Sequence, residues 1–145
     1  MRVVLDTNVL ASGALAKAPG TIHEVFVALR LASFELLLSE HILAELARTL
    51  DKTHFATRLS TQQKLEYVNT IASRSIFIEP NISVTGVASH PADDLVLATA
   101  VSGNADYLVT GDLQFQRLGA YEGVAIVSPA QFLAILGAEQ DPGTP

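Results

Sequence analysis

The sequence predicts an α/β fold with a central parallel sheet of about five strands, and two observations support this prediction. Short apolar runs, many of them β-branched, alternate along the chain with longer segments of helical periodicity, as is typical of strand–helix–strand units around a parallel sheet. The chain has 145 residues, of which 49% are hydrophobic and 17% charged. These values fit one folded domain and exclude a disordered chain.

Five apolar runs are predicted as strands, because uninterrupted apolar residues are typical of parallel strands that are buried on both faces. They cover residues 2–5, 34–38, 76–78, 107–109 and 124–127. In a sheet of this kind, ligands bind outside the carboxyl ends of the strands. Polar residues that directly follow a strand are therefore the first candidates for a functional site.

The intervening helices are predicted from capping and stop signals. Thr21 with Glu24 and Ser60 with Gln63 have the spacing of a capping box, and Ser39 is a further candidate cap. A helical pattern also follows the first strand. The other predicted helices cover about 21–32, 40–51, 60–73, 92–102 and 129–137, and the sizeable irregular segment is 80–91.

Composition and segment lengths set the expected domain limits and location. We expect one domain over residues 1–137, ended by Gly137, and a flexible C-terminal tail over 138–145. The absence of cysteine excludes a disulfide framework and a thiol nucleophile. The longest uncharged stretch, 123–138, is too short and too broken for a membrane span, and Asp6 interrupts any N-terminal export signal. We therefore expect a cytoplasmic protein without membrane contact.

The charge is distributed unevenly along the chain. The net charge is −6, yet the segment 48–74 contains five basic and two acidic residues. Arg48, Lys52 and Arg58 in this segment are candidate nucleic-acid-binding residues, because basic side chains hold phosphates. The alternative is that they belong to solvated helix faces.

Carboxylates occur where three predicted segments should approach one edge of the sheet. Asp6 follows the first strand, Asp112 follows the fourth, and Asp93 and Asp94 begin a helix, while Glu45 lies beside an apolar helix stripe. Each acid alone could be a helix cap, a turn residue or a half-exposed side chain. Together they favour a metal site, because clustered carboxylates repel one another unless a cation relieves the repulsion. Hard oxygen ligands suit Mg²⁺ or Mn²⁺.

Four segments in this order resemble the acidic motifs of the PIN domain family, and in particular the PIN toxin-like proteins of bacterial toxin–antitoxin pairs. The resemblance covers residues 2 to about 136. The segments are VVLDTNVL at 3–10, SEHILAEL at 39–46, PADDLVLATA at 91–100 and ADYLVTGD at 105–112.

The resemblance implies a three-layer α/β/α sandwich and a Mg²⁺- or Mn²⁺-dependent endoribonuclease. The four acidic positions of the family, which are catalytic and metal-binding, fall on Asp6, Glu45, Asp93 and Asp112. Spacing within the third motif selects Asp93, and Asp94 is the alternative ligand or a residue that orients water. Supporting polar positions fall on Asn8 and Thr110. Implied partners are an RNA substrate and an antitoxin protein.

Two alternatives to an active ribonuclease stay open. Many relatives carry another acid two residues after the fourth, where this chain has Gln114, which leaves room for a catalytically weak or silent PIN fold that binds RNA or protein. A haloacid-dehalogenase-like phosphatase needs a second Asp two residues after the first, where this chain has Asn8. The mean hydropathy of +0.34 leads us to expect apolar surface covered by an antitoxin or by a homodimer.

Overall fold

The computed structural model describes residues 1–140, and its six strands form one sheet. The strands are β1 (Arg2–Leu5), β2 (Glu35–Leu38), β3 (Ser75–Phe77), β4 (Tyr107–Val109), β5 (Ala120–Tyr121) and β6 (Val124–Val127). Their order across the sheet is β3-β2-β1-β4-β6-β5. All neighbours pair in parallel except β5 and β6, which are antiparallel. The predicted α/β fold with a central parallel sheet is thus confirmed.

The helices match most of the predicted capping signals. They are α1 (Thr7–Gly13), α2 (Thr21–Arg30), α3 (Glu40–Leu50), α4 (Thr53–Ala56), α5 (Thr61–Ser73), α6 (Pro91–Ser102), α7 (Leu113–Gln116) and α8 (Pro129–Gln140). Ser60 and Gln63 form the predicted capping box, and Ser39 caps α3. The cap predicted at Thr21 is wrong, because Thr21 is the first residue of α2 and Gly20 holds the N-cap position without a side chain to donate or accept.

The strand β5 was not predicted, and it adds a sixth strand to the five expected. It forms a hairpin with β6 through Glu122 and Gly123, whose φ angles are 47° and 84°. Two successive residues with positive φ give the type I′ geometry that joins antiparallel strands in two residues. A two-residue strand has too few positions for an apolar pattern, so sequence reasoning could not find it.

The core lies on both sides of the three central strands. Leu5, Leu37 and Leu108, one from each of β1, β2 and β4, are fully excluded from solvent. Helix α6 packs against these three strands, while α1 packs on α3 and α2 on α8. Phe34 and Phe132 meet edge to face with ring centroids 5.1 Å apart, which joins the start of β2 to α8. Helices therefore cover the sheet as in the α/β/α sandwich that the resemblance implied.

Helix α8 continues through Gly137 to Gln140, so the helix end predicted at Gly137 is wrong. An exposed glycine inside a helix costs only about 1 kcal/mol relative to alanine, and Ala138 and Glu139 favour helix. The limits 1–137 and 138–145 for domain and tail stay a prediction, and residues 141–145 lie outside the described part of the chain. Among residues 1–140, no helix combines the length and the apolar character that crossing a membrane requires.

Candidate functional site

Asp6 lies at the carboxyl end of β1 and is buried, with 4% of its surface exposed. Its backbone N–H donates to the Val109 carbonyl at 2.8 Å, and its Oδ1 accepts from the Thr7 N–H at 2.8 Å as the cap of α1. Burial raises the pKa of Asp6 above its ordinary value. Hydrogen bonds from Thr110 and Thr7 offset part of that rise, and the nearby Asp112 carboxylate adds to it.

The Thr110 hydroxyl group joins Asp6 to Asp112. It is fully buried, donates to Asp6 Oδ2 at 2.7 Å and accepts from the Asp112 N–H at 3.1 Å. Asp112 in turn caps α7, since its Oδ1 accepts from the Gln114 N–H at 2.9 Å. The Gln116 side chain donates to the Thr110 carbonyl at 2.8 Å. One threonine thus fixes the two acids that follow β1 and β4.

Asp93 is the acid whose ionisation depends most on the other acids. It lies half-buried in the first turn of α6. Burial raises its pKa to about 6, and the Asp6 and Asp112 carboxylates, with a smaller effect of Asp94, add to that rise against the opposing charge of His90. No hydrogen bond from the described residues contributes to this shift. Its carboxyl group is therefore near Asp6 and Asp112 and open to a further ligand.

Asp94 has a different set of contacts from its neighbour Asp93. It is buried, and its Oδ2 accepts from the Gly86 N–H at 3.0 Å. Its Oδ1 accepts from the N–H groups of Val87, at 3.2 Å, and Ala88, at 2.7 Å. Both carboxylate oxygens are thus occupied by the segment that precedes α6. These bonds support Asp93 over Asp94 as the third acid of the site.

The structure does not bring Glu45 into the group formed by Asp6, Asp93 and Asp112. Glu45 forms an ion pair with Arg48 one turn along α3, and the hydrogen bond from Arg48 lowers the pKa of Glu45. The positive charges of Arg48, His41 and Lys52 lower it further. Arg48, a candidate phosphate ligand, therefore contacts a carboxylate in this structure.

The other candidate residues lie at the surface. Asn8 is exposed in the first turn of α1, the helix that Asp6 caps. Lys52 and Arg58 are exposed on either side of α4. The Arg58 Nη1 donates to the His54 carbonyl at 2.6 Å. The supporting role of Asn8 and the nucleic-acid binding by Lys52 and Arg58 stay predictions, because these contacts do not test them.

The acid group has the donor chemistry that a hard divalent cation requires. Three carboxyl groups approach one another closely enough to raise the pKa of Asp93, and a bound cation would relieve that repulsion. The side chains are not closed around a common point: within residues 1–140, no three His, Asp or Glu side chains converge tightly enough to hold a metal ion by themselves. Mg²⁺ typically binds one or two carboxylates and completes its coordination with water and substrate oxygens, so Asp6, Asp93 and Asp112 are the residues that would hold it.

A buried hydroxyl pair near this edge was missed by sequence reasoning. The Thr99 hydroxyl donates to Ser39 Oγ at 2.9 Å, and both residues are fully buried. It links α6 to the residue that follows β2, and so holds the helix that carries Asp93 at the carboxyl edge. The available signal was a threonine inside the apolar run Val96–Ala100, which needs a polar partner once buried.

Comparison with known proteins identifies the family. Residues 2–114 match the family model described as PIN domain. The chain belongs to the PIN domain family. Proteins of this family are generally nucleases that use a divalent metal, and the match spans the segments with Asp6, Glu45, Asp93 and Asp112. No curated protein sequence matches the chain significantly.

Two solved structures share the fold at low sequence identity. One is VapBC2 from Rickettsia felis bound to a DNA fragment from its promoter, with a TM-score of 0.60 and 20% identity. The other is FitAcB from Neisseria gonorrhoeae, with a TM-score of 0.52 and 18% identity. Each alignment covers 88% of this PIN domain chain and 98% of the other chain. The fold therefore extends over nearly the whole of both neighbours.

Proposed function

We propose that this PIN domain is a metal-dependent endoribonuclease that hydrolyses RNA phosphodiester bonds. The observation that carries the proposal is the half-buried Asp93 carboxyl group at the carboxyl edge of the sheet, whose pKa is raised to about 6 by burial first and then by the Asp6 and Asp112 carboxylates. Such perturbed carboxyl groups occur where cations or protons are handled. Membership of a family of nucleases makes phosphodiester hydrolysis the corresponding reaction.

The three acids have distinct tasks in this proposal. Asp6 and Asp112 are held in place by Thr110 and serve as fixed oxygen ligands for Mg²⁺ or Mn²⁺. Asp93 carries no such bond, and its carboxyl group positions the attacking water and accepts a proton from it. A divalent cation held by these acids would lower the pKa of a water molecule and stabilise the charge that develops on the phosphoryl group.

Three further residues support the acid group in this proposal: Glu45, Asn8 and Asp94. Glu45 is the fourth acid. An RNA phosphate competes with Glu45 for the Arg48 guanidinium group, and once Arg48 binds the phosphate, the Glu45 carboxylate can act with the other acids. Asn8 is a supporting residue on the exposed first turn of α1. Asp94 supports Asp93 indirectly by fixing the start of α6.

We further propose that the protein is the toxin component of a toxin–antitoxin pair in the cytoplasm, with an antitoxin protein as partner and a homodimer as the assembled form. Two observations support this. The sequence motifs resemble those of PIN toxin-like proteins. The alignment with each of the two structural neighbours covers 98% of that neighbour's chain.

Cleavage of RNA tests the proposed reaction. Purified protein is incubated with mixed single-stranded and structured RNAs in Mn²⁺, in Mg²⁺ and in chelator, beside Asp93→Asn and the control Glu24→Gln, an exposed acid on α2. We expect metal-dependent cutting by the wild type and the control, and a loss of at least about 100-fold for Asp93→Asn. Cutting by Asp93→Asn at the wild-type rate would contradict the assignment.

The second candidate function is a silent PIN fold that binds RNA or protein without cutting. Two observations favour it: Gln114 stands where many relatives have an acid, and Glu45 is paired with Arg48. RNA binding with no product under any metal condition would support this candidate. Hydrolysis of a small phosphate ester instead of RNA would point to a phosphatase.

A further inference from the structure

A broad groove lies at the C-terminal end of α1, the end opposite to Asp6. It has a volume of about 780 Å³ and is bordered by the segment after α1, by α4 and by the start of α5. Its polar lining consists of Lys17, His54, Arg58 and Gln63, and no acidic residue is among its lining residues in the described part of the chain. In a chain of net charge −6, this is a local concentration of positive charge.

The two cations of the groove are available to a ligand. Among residues 1–140, neither Lys17 nor Arg58 forms an ion pair, whereas Arg48 pairs with Glu45 and Lys64 with Asp51. Arg58 is oriented through its Nη1, which donates to the His54 carbonyl and lies 3.4 Å from His54 Nδ1, and its Nε and Nη2 N–H groups have no partner among residues 1–140. An oriented guanidinium group loses less entropy on binding an anion than a mobile one does.

The chemistry of the groove favours a phosphate backbone over a protein partner. Its apolar lining is confined to short or half-buried side chains of Ala14, Leu15, Ala16 and Leu59. A protein interface is normally enriched in Tyr, Trp and Phe at its centre, and none of these residues lines the groove in the described part of the chain. Unpaired cations beside a polar amide, in contrast, are the usual ligands of nucleic-acid phosphates.

The position of the groove suits the same RNA strand that would reach the acids. Helix α1 begins after Asp6, ends at Gly13 and leads directly to the groove. At 1.5 Å per residue, its seven residues span about 10 Å. A strand with its scissile phosphate at Asp6 therefore reaches the groove within a few nucleotides.

We propose that this groove binds the phosphate backbone of single-stranded RNA, with Lys17 and Arg58 as its ligands and His54 and Gln63 as flanking contacts. The proposal rests on the proposed ribonuclease function for the identity of the nucleic acid. It adds a binding site outside the acid group, which holds the substrate while the acids act. Arg48 and Lys52 do not line this site.

Equilibrium binding in chelator tests the groove independently of cleavage. A labelled single-stranded RNA of about 15 nucleotides, near the largest site size of a single-strand binding fold, is titrated by fluorescence anisotropy at several salt concentrations. The groove variant is Lys17→Gln with Arg58→Gln. The control is Arg30→Gln with Arg74→Gln, which removes the same charge from exposed positions elsewhere on the surface. Equal thermal unfolding of both variants and the wild type establishes that they fold.

We expect the groove variant to bind at least about tenfold more weakly than the control, with a log–log salt slope smaller by about 1.4 for two lost phosphate contacts. Polyglutamate at matched ionic strength should not displace the RNA. Equal weakening in the groove and control variants would overturn the proposal, as would displacement by polyglutamate, which would indicate an acidic protein segment. Failure of wild-type cleavage with retained groove-dependent binding would reject the nuclease and keep the groove.

Discussion

At the scale of single residues, the Thr110 hydroxyl is the contact on which the acid group most depends. It donates to Asp6 and accepts from the Asp112 backbone, so it connects residues that belong to different strands. A hydrogen bond adds only modestly to the free energy of unfolding, but removing a buried hydroxyl group leaves its two partners unpaired, which costs more. The geometry of Asp6 and Asp112 therefore follows from a residue that carries no charge.

Replacing Thr110 tests this dependence. Thr110→Val has nearly the same shape but leaves Asp6 Oδ2 and the Asp112 N–H without a partner, so we expect a loss of about 1–3 kcal/mol in the free energy of unfolding. Thr110→Ser keeps the hydroxyl group and should retain most of the stability and activity. Urea unfolding of the two variants measures the difference, and equal stability for valine and serine would contradict the connecting role.

The raised pKa of Asp93 predicts an unusual pH dependence of stability. Its pKa is about 6 in the folded protein against 3.8 for the ordinary value. Between these values the folded state binds more protons than the unfolded state, so this group's contribution is complete below pH 4 and lost as pH rises through 6. We expect Asp93→Asn to be more stable than the wild type at pH 8 in chelator, and this advantage to vanish near pH 4.

Urea unfolding at pH 4, 6 and 8 measures that advantage, and Glu24→Gln serves as the control because Glu24 is an exposed acid remote from the group. The raised pKa of the Asp6 carboxyl group acts in the same direction in the wild type and in both variants. An advantage of Asp93→Asn that is constant with pH would show that the pKa of Asp93 is not raised in the folded protein.

At the scale of secondary-structure elements, α1 is held by close contacts at both of its ends. Asp6 caps its start, and at its end Gly13 lies against the Phe26 ring and the Tyr67 hydroxyl group. Tyr67 also donates to the Leu10 carbonyl at 2.5 Å. A Cβ atom at Gly13 would overlap the ring and the hydroxyl, so only glycine lets α2 and α5 approach α1 this closely.

Alanine at two glycine positions separates close approach from helix propensity. Gly13→Ala should lower the free energy of unfolding by about 1–3 kcal/mol because of overpacking. Gly137→Ala lies inside α8 with open space around the added methyl group and should raise it by about 0.5–1 kcal/mol. Chemical denaturation of both variants measures the contrast. Similar effects at the two positions would reject the role of close packing.

The elements also show how far the sequence could lead. Strands with uninterrupted apolar runs and caps such as Ser60 were predictable, because burial and capping leave a local pattern. The partner of Glu45 was not, because the sequence does not show whether this carboxylate lies with the other acids or pairs with Arg48 one turn along α3, and only the folded arrangement decides between them. The same holds for Asp94, whose partners are backbone N–H groups six to eight residues away that carry no sequence signal.

At the scale of the whole molecule, the sheet order brings the acids together. Strands β1 and β4 are neighbours although about 100 residues separate them, and α6 packs on both. The end-of-strand rule for parallel sheets predicted this meeting of Asp6 and Asp112 from the sequence. The membership of Glu45 in the site stays a prediction.

Cation binding should stabilise the whole fold. If Mn²⁺ binds the folded state alone, a concentration 100 times its Kd adds about 2.7 kcal/mol to the free energy of unfolding. Thermal unfolding with increasing Mn²⁺ should therefore shift upward for the wild type and for Glu24→Gln, and stay constant for Asp6→Asn. An equal shift in Asp6→Asn would place the cation elsewhere on the molecule.

The sequence separation of 104 residues between Asp6 and Thr110 has a consequence for the time at which the acid group forms. During synthesis β1 can pair with β2 early, but its other edge stays open until β4 has been made. At about 5–20 residues per second, the ribosome adds Thr110 roughly 5–20 s after Asp6. A nascent chain therefore carries Asp6 without its partners until Thr110 and β4 have been made, and any activity of these residues begins only after that point.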